Sequence, residues 1–404
     1  MRSTASEYLL QDLAIAEISA FIAAPLAGMT LGQMGANVIR IDQTGGGPDH
    51  DRWPLGRNGT SLYWQGMNKA KRSVHLDLRS PEGRAAAQQI IARQGIFVTN
   101  RPAVDWLSYE TLSALRPDLI MVAIRGTFDH RIAVDYTIQA RSGLPFLTGE
   151  GDAPVNQMMP AWDTVCGLLA ANGILGAVRR REATGQGAFI DLSLEDCALW
   201  MLGNLGMLAE AETTDHKREA LGNHVYGTFG RDFECSDGER VMVVTVSSRH
   251  WRALCEATEM GAAFGHLEQA MDADFRRDAD RYRCRNAIAA LLEPWFGART
   301  LADVSARLES AKVLWGLYQS VQDLVTHDPV CSEANPMFAQ VTHPDAGRYL
   351  TPGLPLDLQG QGSRDHSRRV SRQGADTEGV LRDLLGLGPE ERARLIAEQA
   401  SDAA

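Results

Sequence analysis

Apolar positions along roughly the first two hundred residues follow two periods that take turns. Short apolar runs at 14–18, 37–41, 73–78, 96–99, 119–124 and 189–194 have the length and continuity of buried strands. Between them the spacing turns helical: 25–34 closing on Gly35, 81–94 closing on Gly95, 104–115, a long apolar stretch beginning near Asp163, and another running through Leu208. Ser80-Pro81-Glu82 supplies an N-cap with proline in the first helical position. The Asp163 helix ends on Arg179-Arg180-Arg181 before Gly185, an ordinary stop signal. Alternation of this kind predicts a parallel sheet with helices on both faces.

From about Gly222 the pattern changes. Gly222-Asn223-His224-Val225-Tyr226-Gly227 is turn-rich, and 229–235 with 240–246 predict a hairpin turning at Ser236-Asp237-Gly238. Helices rich in Arg and Ala follow to about Asp328. Beyond Tyr349, Pro352, Pro355 and Gly360-Gln361-Gly362 predict an extended segment before two final helices at 378–385 and 389–399. We therefore expect a large α/β domain from residues 1–221, a smaller α+β domain from 222–328, and a return segment, 329–404, completing the large one.

At 404 residues, 44% hydrophobic and 23% charged, the chain has an ordinary globular composition and is too long for one compact core, in keeping with two domains. A net charge of -11 argues against nucleic acid as a partner but leaves room for local basic pockets that hold a small phosphorylated ligand. The six cysteines include no CxxC pair and the ten histidines no HExxH, so we expect neither a disulfide framework nor a metal site, and a cytoplasmic setting. Glu17, Pro25, Gly28, Gly32 and Gly35 break up the apolar N-terminal run. It reads as strand, turn, helix and strand, with no export signal, transmembrane helix or membrane partner expected. No GxSxG elbow or GxxxxGK[ST] loop occurs, which weighs against an α/β-hydrolase and a P-loop kinase.

Gly28, Gly32 and Gly35 invite a dinucleotide-binding reading, with Asp42 at the end of the second strand. Such a site needs its glycines between strand and helix, yet the turn Ser19-Ala20-Phe21-Ile22-Ala23-Ala24-Pro25 has none. Gly28 and Gly32 suit close helix packing better. Gly45-Gly46-Gly47 is either a surface loop or a set of amides meeting an anion. Asn68-Lys69-Ala70-Lys71-Arg72-Ser73, Arg79 and Asn100-Arg101 are either a solvated charged face or a way to hold the phosphates of a nucleotide-like cofactor. Asp163 is the sharpest feature. At the start of a helix its carboxylate is expected to stay ionised and oriented, and with no metal ligands nearby it can attack an activated acyl group. The alternative is an Asp that only caps its helix. Cys166, one turn on, reads as a small buried helix residue.

Together these residues resemble the class III CoA-transferases, the CaiB/BaiF or formyl-CoA transferase family, over nearly the whole chain. The likeness runs through Ala24-Pro25, Met34-Gly35-Ala36-Asn37-Val38-Ile39-Arg40-Ile41-Asp42 and Lys71-Arg72-Ser73-Val74-His75-Leu76-Asp77-Leu78. It continues in Asn100, Asp163, Thr184-Gly185-Gln186-Gly187 and Gly222-Asn223, whereas Gly374-Ala375-Asp376-Thr377-Glu378 departs from the family's wording. The resemblance implies a Rossmann-like large domain, a small inserted domain, and two subunits interlocked as a homodimer. It implies Asp163 as the nucleophile and contacts to CoA at Gln43, Leu76, Leu78, Arg79, Asn100 and Arg101, with Trp106 standing where a further basic contact is usual. Coenzyme A enters as part of an acyl-CoA substrate, and no prosthetic group is expected. Arg52-Trp53-Pro54, Leu144-Pro145-Phe146, Pro160-Ala161-Trp162-Asp163 and the stretch 226–234 look closest to a branch that moves CoA between the C1 and C4 carboxyls of mesaconate. An intermolecular transferase is the neighbouring alternative, and a CoA-binding protein without catalysis a more distant one. The related racemases place a histidine about four residues before Tyr136, where Ile132 stands, with His130 out of register.

Overall fold

The computed structural model describes residues 8–356 and 365–397, and the chain divides into two compact units. One takes the chain up to Ser142, Met158–Thr214 and the chain from Pro329 onward; the other takes Gly143–Gln157 and Asp215–Asp328. The glycine pair at 360 and 362 and the last residues expected in the final helix lie outside the described residues.

In the first unit, strands and helices alternate as β1 (Ala14–Ile18), α1 (Ala23–Gln33), β2 (Asn37–Gln43), α2 (Leu62–Met67), β3 (Lys71–Leu76), α3 (Pro81–Gln94), β4 (Ile96–Thr99), α4 (Tyr109–Leu115) and β5 (Ile120–Arg125). They continue through α5 (Asp135–Arg141), α6 (Ala161–Thr184), β6 (Ala188–Ser193) and α7 (Leu194–Asn204). The strands form one six-stranded parallel sheet in the order β3-β2-β1-β4-β5-β6. This is the doubly wound order, whose ligand crevice lies beyond the carboxyl ends of the strands, at the switch between β1 and β4. The apolar runs are strands because both faces are covered: Ile15, Ile39, Val74, Phe97, Met121 and Val122 are fully buried.

Local chemistry sets the element ends. Ser80 Oγ accepts the Gly83 N–H at 3.0 Å to start α3, and Gly95 closes it in the left-handed conformation. The segment expected as one helix over 104–115 breaks at Ser108, which leaves the helix path to cap α4. The segment running through Leu208 breaks at Gly206, and a short helix restarts at Met207–Thr213. α6 is the one described helix long and apolar enough to span a bilayer. Its Cys166, Ala170, Ile174 and Val178 are buried, and a Cβ at Gly167 would stand 2.6 Å from the Ala23 carbonyl of α1. It is a core helix that the glycine lets lie close on α1.

The chain's return covers the sheet's outer edge. Asp376 accepts the Ser73 N–H at 2.8 Å, and its own N–H donates to the Ser73 carbonyl at 2.9 Å. Thr377 Oγ1 accepts the His75 N–H at 2.9 Å. The phrase that departs from the family's wording therefore satisfies the free edge of β3, and Val380 and Leu381 add to the core beside Leu76 and Ile90.

The second unit carries an antiparallel sheet, β7 (Phe229–Glu234), β8 (Arg240–Thr245) and β9 (Leu314–Leu317), with the β7–β8 hairpin where the alternation predicted it. Its core is aromatic: Phe233 stacks on Phe296 at 4.4 Å, and Trp251 packs on Phe264 and Phe275.

Candidate active site

Asp163 stands in the first turn of α6. Because α6 runs antiparallel to the strands, this turn lies at the sheet's carboxyl edge. Pro160, the residue before the helix, offers no capping side chain. The cap comes from α5: one oxygen of the buried Asp135 accepts the N–H of Trp162 at 2.7 Å and of Asp163 at 2.9 Å. Asp163 is therefore not the cap, and its carboxyl makes no hydrogen bond among the described residues. A position at a helix N-terminus is expected to keep this group ionised. The balance is the reverse: burial first, then the like charge of Asp135, push it up to about 7, while Arg52 pulls it down.

Asp163 faces a cavity of about 540 Å³ shared with Phe21, Arg52, Tyr63, Asn100 and Tyr136, all from the first unit. One wall is the turn after β1, where Phe21 takes φ +67, a left-handed conformation rare outside glycine. Two side chains hold it there. Asn100 brackets Ala20, accepting its N–H at 2.9 Å and donating to its carbonyl at 2.6 Å, and Asp49 accepts the Phe21 N–H at 3.2 Å. Cys166 is fully buried, and a hydrogen bond with Cys197 together with burial pushes its thiol far up, so it stays protonated.

The two lysines of the basic cluster at 68–73 are internal. Lys71 Nζ donates to Glu17 at 2.8 Å, to the Pro25 carbonyl at 2.8 Å and to Asn68 at 3.0 Å, and Lys69 Nζ donates to the Pro352 carbonyl at 3.1 Å. These two lysines brace the fold and are not free for phosphates. Gly28 makes room for this, since a Cβ there would stand 1.8 Å from Glu17 Oε2. Asp42, His50 and His75 bring possible ligand atoms within 4.8 Å of one another. Arg40 already takes both Asp42 oxygens, Nε to Oδ2 at 2.9 Å and Nη2 to Oδ1 at 3.0 Å. A metal ion there would meet a buried guanidinium, and the same pairing removes Asp42 from any ribose.

Residues 10–377 match the model of CoA-transferase family III. The chain belongs to that family. It is 46% identical over 397 residues to 2-methylfumaryl-CoA isomerase of Chloroflexus aurantiacus, covering 96% of this chain and 97% of that one. Succinyl-CoA:mesaconate CoA-transferase of Haloarcula marismortui is 29% identical over 86% of this chain and 90% of its own. A CaiB/BaiF family protein of Brucella suis shares the fold, with a TM-score of 0.75, 24% identity, and coverage of 92% of this chain and 98% of its own.

In this family III transferase the six residues expected at CoA fall on the carboxyl edge of the sheet in two groups. Gln43, at the end of β2, donates to Asp77 at 2.9 Å and accepts the Leu78 N–H at 2.9 Å, tying it to the turn that carries Arg79. Leu76 and Leu78 are core side chains, and their carbonyls accept from Thr44 and Arg84. Asn100 and Arg101 follow β4, and of the six only Asn100 lines the Asp163 cavity. Arg84 lies 5.8 Å over the Trp106 ring. The glycine loop at 222–227 lies in the second unit, where the Gly222, His224 and Val225 amides already donate to Gly149, Leu221 and Gly230 carbonyls.

Asp135 is not legible in the sequence because its partners lie 27 and 28 residues away. Asp135→Asn keeps an oxygen for the two amides and removes the like charge. The ascending limb of the pH–rate profile, set by Asp163 near pH 7, then moves to lower pH but stays above the ordinary carboxylate range, because burial is the larger cause. A limb that stays in place would mean burial alone sets it.

Proposed function

We propose that this transferase moves CoA between the two carboxyls of one mesaconate, converting 2-methylfumaryl-CoA to 3-methylfumaryl-CoA. The observation that carries this reading is the raised, unbonded Asp163 carboxyl facing a cavity at the sheet's carboxyl edge. The 46% identity with 2-methylfumaryl-CoA isomerase supports the choice of acid.

Asp163, ionised, attacks the thioester carbonyl; the C–S bond breaks, leaving a mixed anhydride and CoA thiolate. The thiolate attacks the aspartyl carbonyl, giving an aspartyl-CoA thioester and the free dicarboxylate. The acid's other carboxylate attacks that thioester, expelling CoA thiolate and forming a second anhydride. The thiolate then attacks the acyl carbonyl of the anhydride, completing the isomer and restoring the Asp163 carboxylate. Retention of the acid makes the second half effectively intramolecular.

Gln43, Leu76, Leu78, Arg79, Asn100 and Arg101 are assigned to CoA, the first three through the edge they shape and the arginines through phosphates. The cell interior and a homodimer complete the reading. Exposed Leu199, Trp200, Leu205 and Leu208 on and after α7 support a covered apolar interface.

The test is to incubate the enzyme with 2-methylfumaryl-CoA alone and resolve the isomers by chromatography. The C4 ester appearing at constant total thioester supports intramolecular transfer. Conversion only after a second acid is added would make it an intermolecular transferase.

A further inference from the structure

On the CoA-transfer reading, on which this rests, we propose that Arg52 is the specificity-determining residue that holds the acid's second carboxylate.

The cavity has two arginines, and one is committed. Arg125 donates to Asp191 at 2.6 Å and to the Thr127 carbonyl. Arg52 has no carboxylate partner among the described residues. Its guanidinium stands over two rings, with Cζ 5.2 Å from the centroids of both Phe21 and Tyr63. Ring contacts of this kind hold a cation in place without using up its N–H donors, which stay available to a planar, bidentate acceptor. A carboxylate is that acceptor.

The platform is built rather than incidental. Phe21 reaches its place only through the left-handed backbone that Asp49 and Asn100 hold. The Arg52 carbonyl is fixed by Ser61 Oγ at 2.5 Å. The Tyr63 hydroxyl is buried without a hydrogen-bond partner among the described residues, and burial pushes it up, so it stays a neutral donor beside the same guanidinium. Asp163 lies in the field of Arg52, and its own charge acts on Tyr63. One end of a short dicarboxylate can thus rest on Arg52 while the other meets Asp163.

Such a contact serves both halves of the reaction. While the acid is esterified at one end, Arg52 takes the free end. Once the aspartyl-CoA thioester has formed, the acid is a dianion, and the guanidinium keeps it in the cavity until its other end turns to the thioester. Arg52 forms and breaks no covalent bond.

The experiment measures the preference for 2-methylfumaryl-CoA over crotonyl-CoA, which lacks a second carboxylate, by CoA release and hydroxylamine trapping at Asp163. In the wild type the dicarboxylic thioester is preferred. Arg52→Gln lowers kcat/KM for it on the order of 10- to 100-fold more than for crotonyl-CoA, which loses only what the higher Asp163 carboxyl costs both thioesters, so the preference collapses. Arg52→Lys keeps the charge without the fork and falls between. Arg52→Gln also leaks the acid, read as incorporation of labelled mesaconate from solution. A preference preserved in Arg52→Gln, or an equal fall for both thioesters, overturns the assignment. Trapping by neither thioester in the wild type overturns the CoA-transfer reading, and this assignment with it.

Discussion

Asp163→Asn is expected to lose isomerisation by about 10⁴-fold or more and, at pH 8, to be more stable than the wild type. The two effects share a cause. In the fold the carboxyl is raised from 3.8 to about 7, by burial and by Asp135, so the structure disfavours its charge. For a raised acid the cost is absent below pH about 4, grows between pH 4 and 7, and is complete above 7. The amide has the same shape and no charge, so it escapes that cost, about 2 kcal/mol at pH 8 for a group still partly open to solvent. Urea denaturation at pH 8 and pH 4 checks the sign: the gain should be present at the first and gone at the second. In the wild type, kcat/KM should rise with pH through about 7, as the nucleophile ionises. A less stable amide variant at pH 8 would mean that the carboxylate is well solvated or paired in solution, and the primed-nucleophile account would fall.

Sequence reading was strong where the signal is local. The six apolar runs became the six parallel strands within about two residues, and Ser80, Gly95 and Gly185 ended their helices as written. It was weak where a residue's role depends on a distant partner. Asp135 sits on a seven-residue helix too short for clear periodicity, and its capping target is a helix later in the chain. Lys69 and Lys71 read as a basic surface because nothing near them in sequence announces Glu17 or the Pro352 carbonyl. Arg52 was visible within a motif, but its rings come from positions 21 and 63. The carboxyl edge was thus legible as a place, while the electrostatics at that edge were not.

Those electrostatics make Arg40→Met the substitution with the largest expected effect on stability. Arg40 is 1% exposed. It donates to Asp42, to both Asp49 oxygens at 3.1 Å and to Asn68 at 2.8 Å, with Glu17 3.9 Å away. Methionine fills much of the volume but leaves three buried carboxylates with only Lys71, beside Glu17, and His50, beside Asp42, to face them. Removing one side of such a cluster costs about 3–5 kcal/mol. The pH dependence separates this from simple loss of packing. In the wild type, burial opposes the Asp42 charge, but Arg40 and then His50 outweigh it and hold the carboxyl well below its usual range. That stabilisation is whole at neutral pH and is lost as pH falls below about 4. Without Arg40, burial is opposed at Asp42 by His50 alone and raises that carboxyl, so the variant's deficit should shrink as pH falls from 8 towards 5. A packing defect would give a deficit independent of pH. Activity should suffer even in variant protein that remains folded, because Asp49 links this cluster to the Phe21 amide and so to the ring beneath Arg52. A stabler second background should therefore restore the urea midpoint of Arg40→Met without restoring its preference for the dicarboxylic thioester.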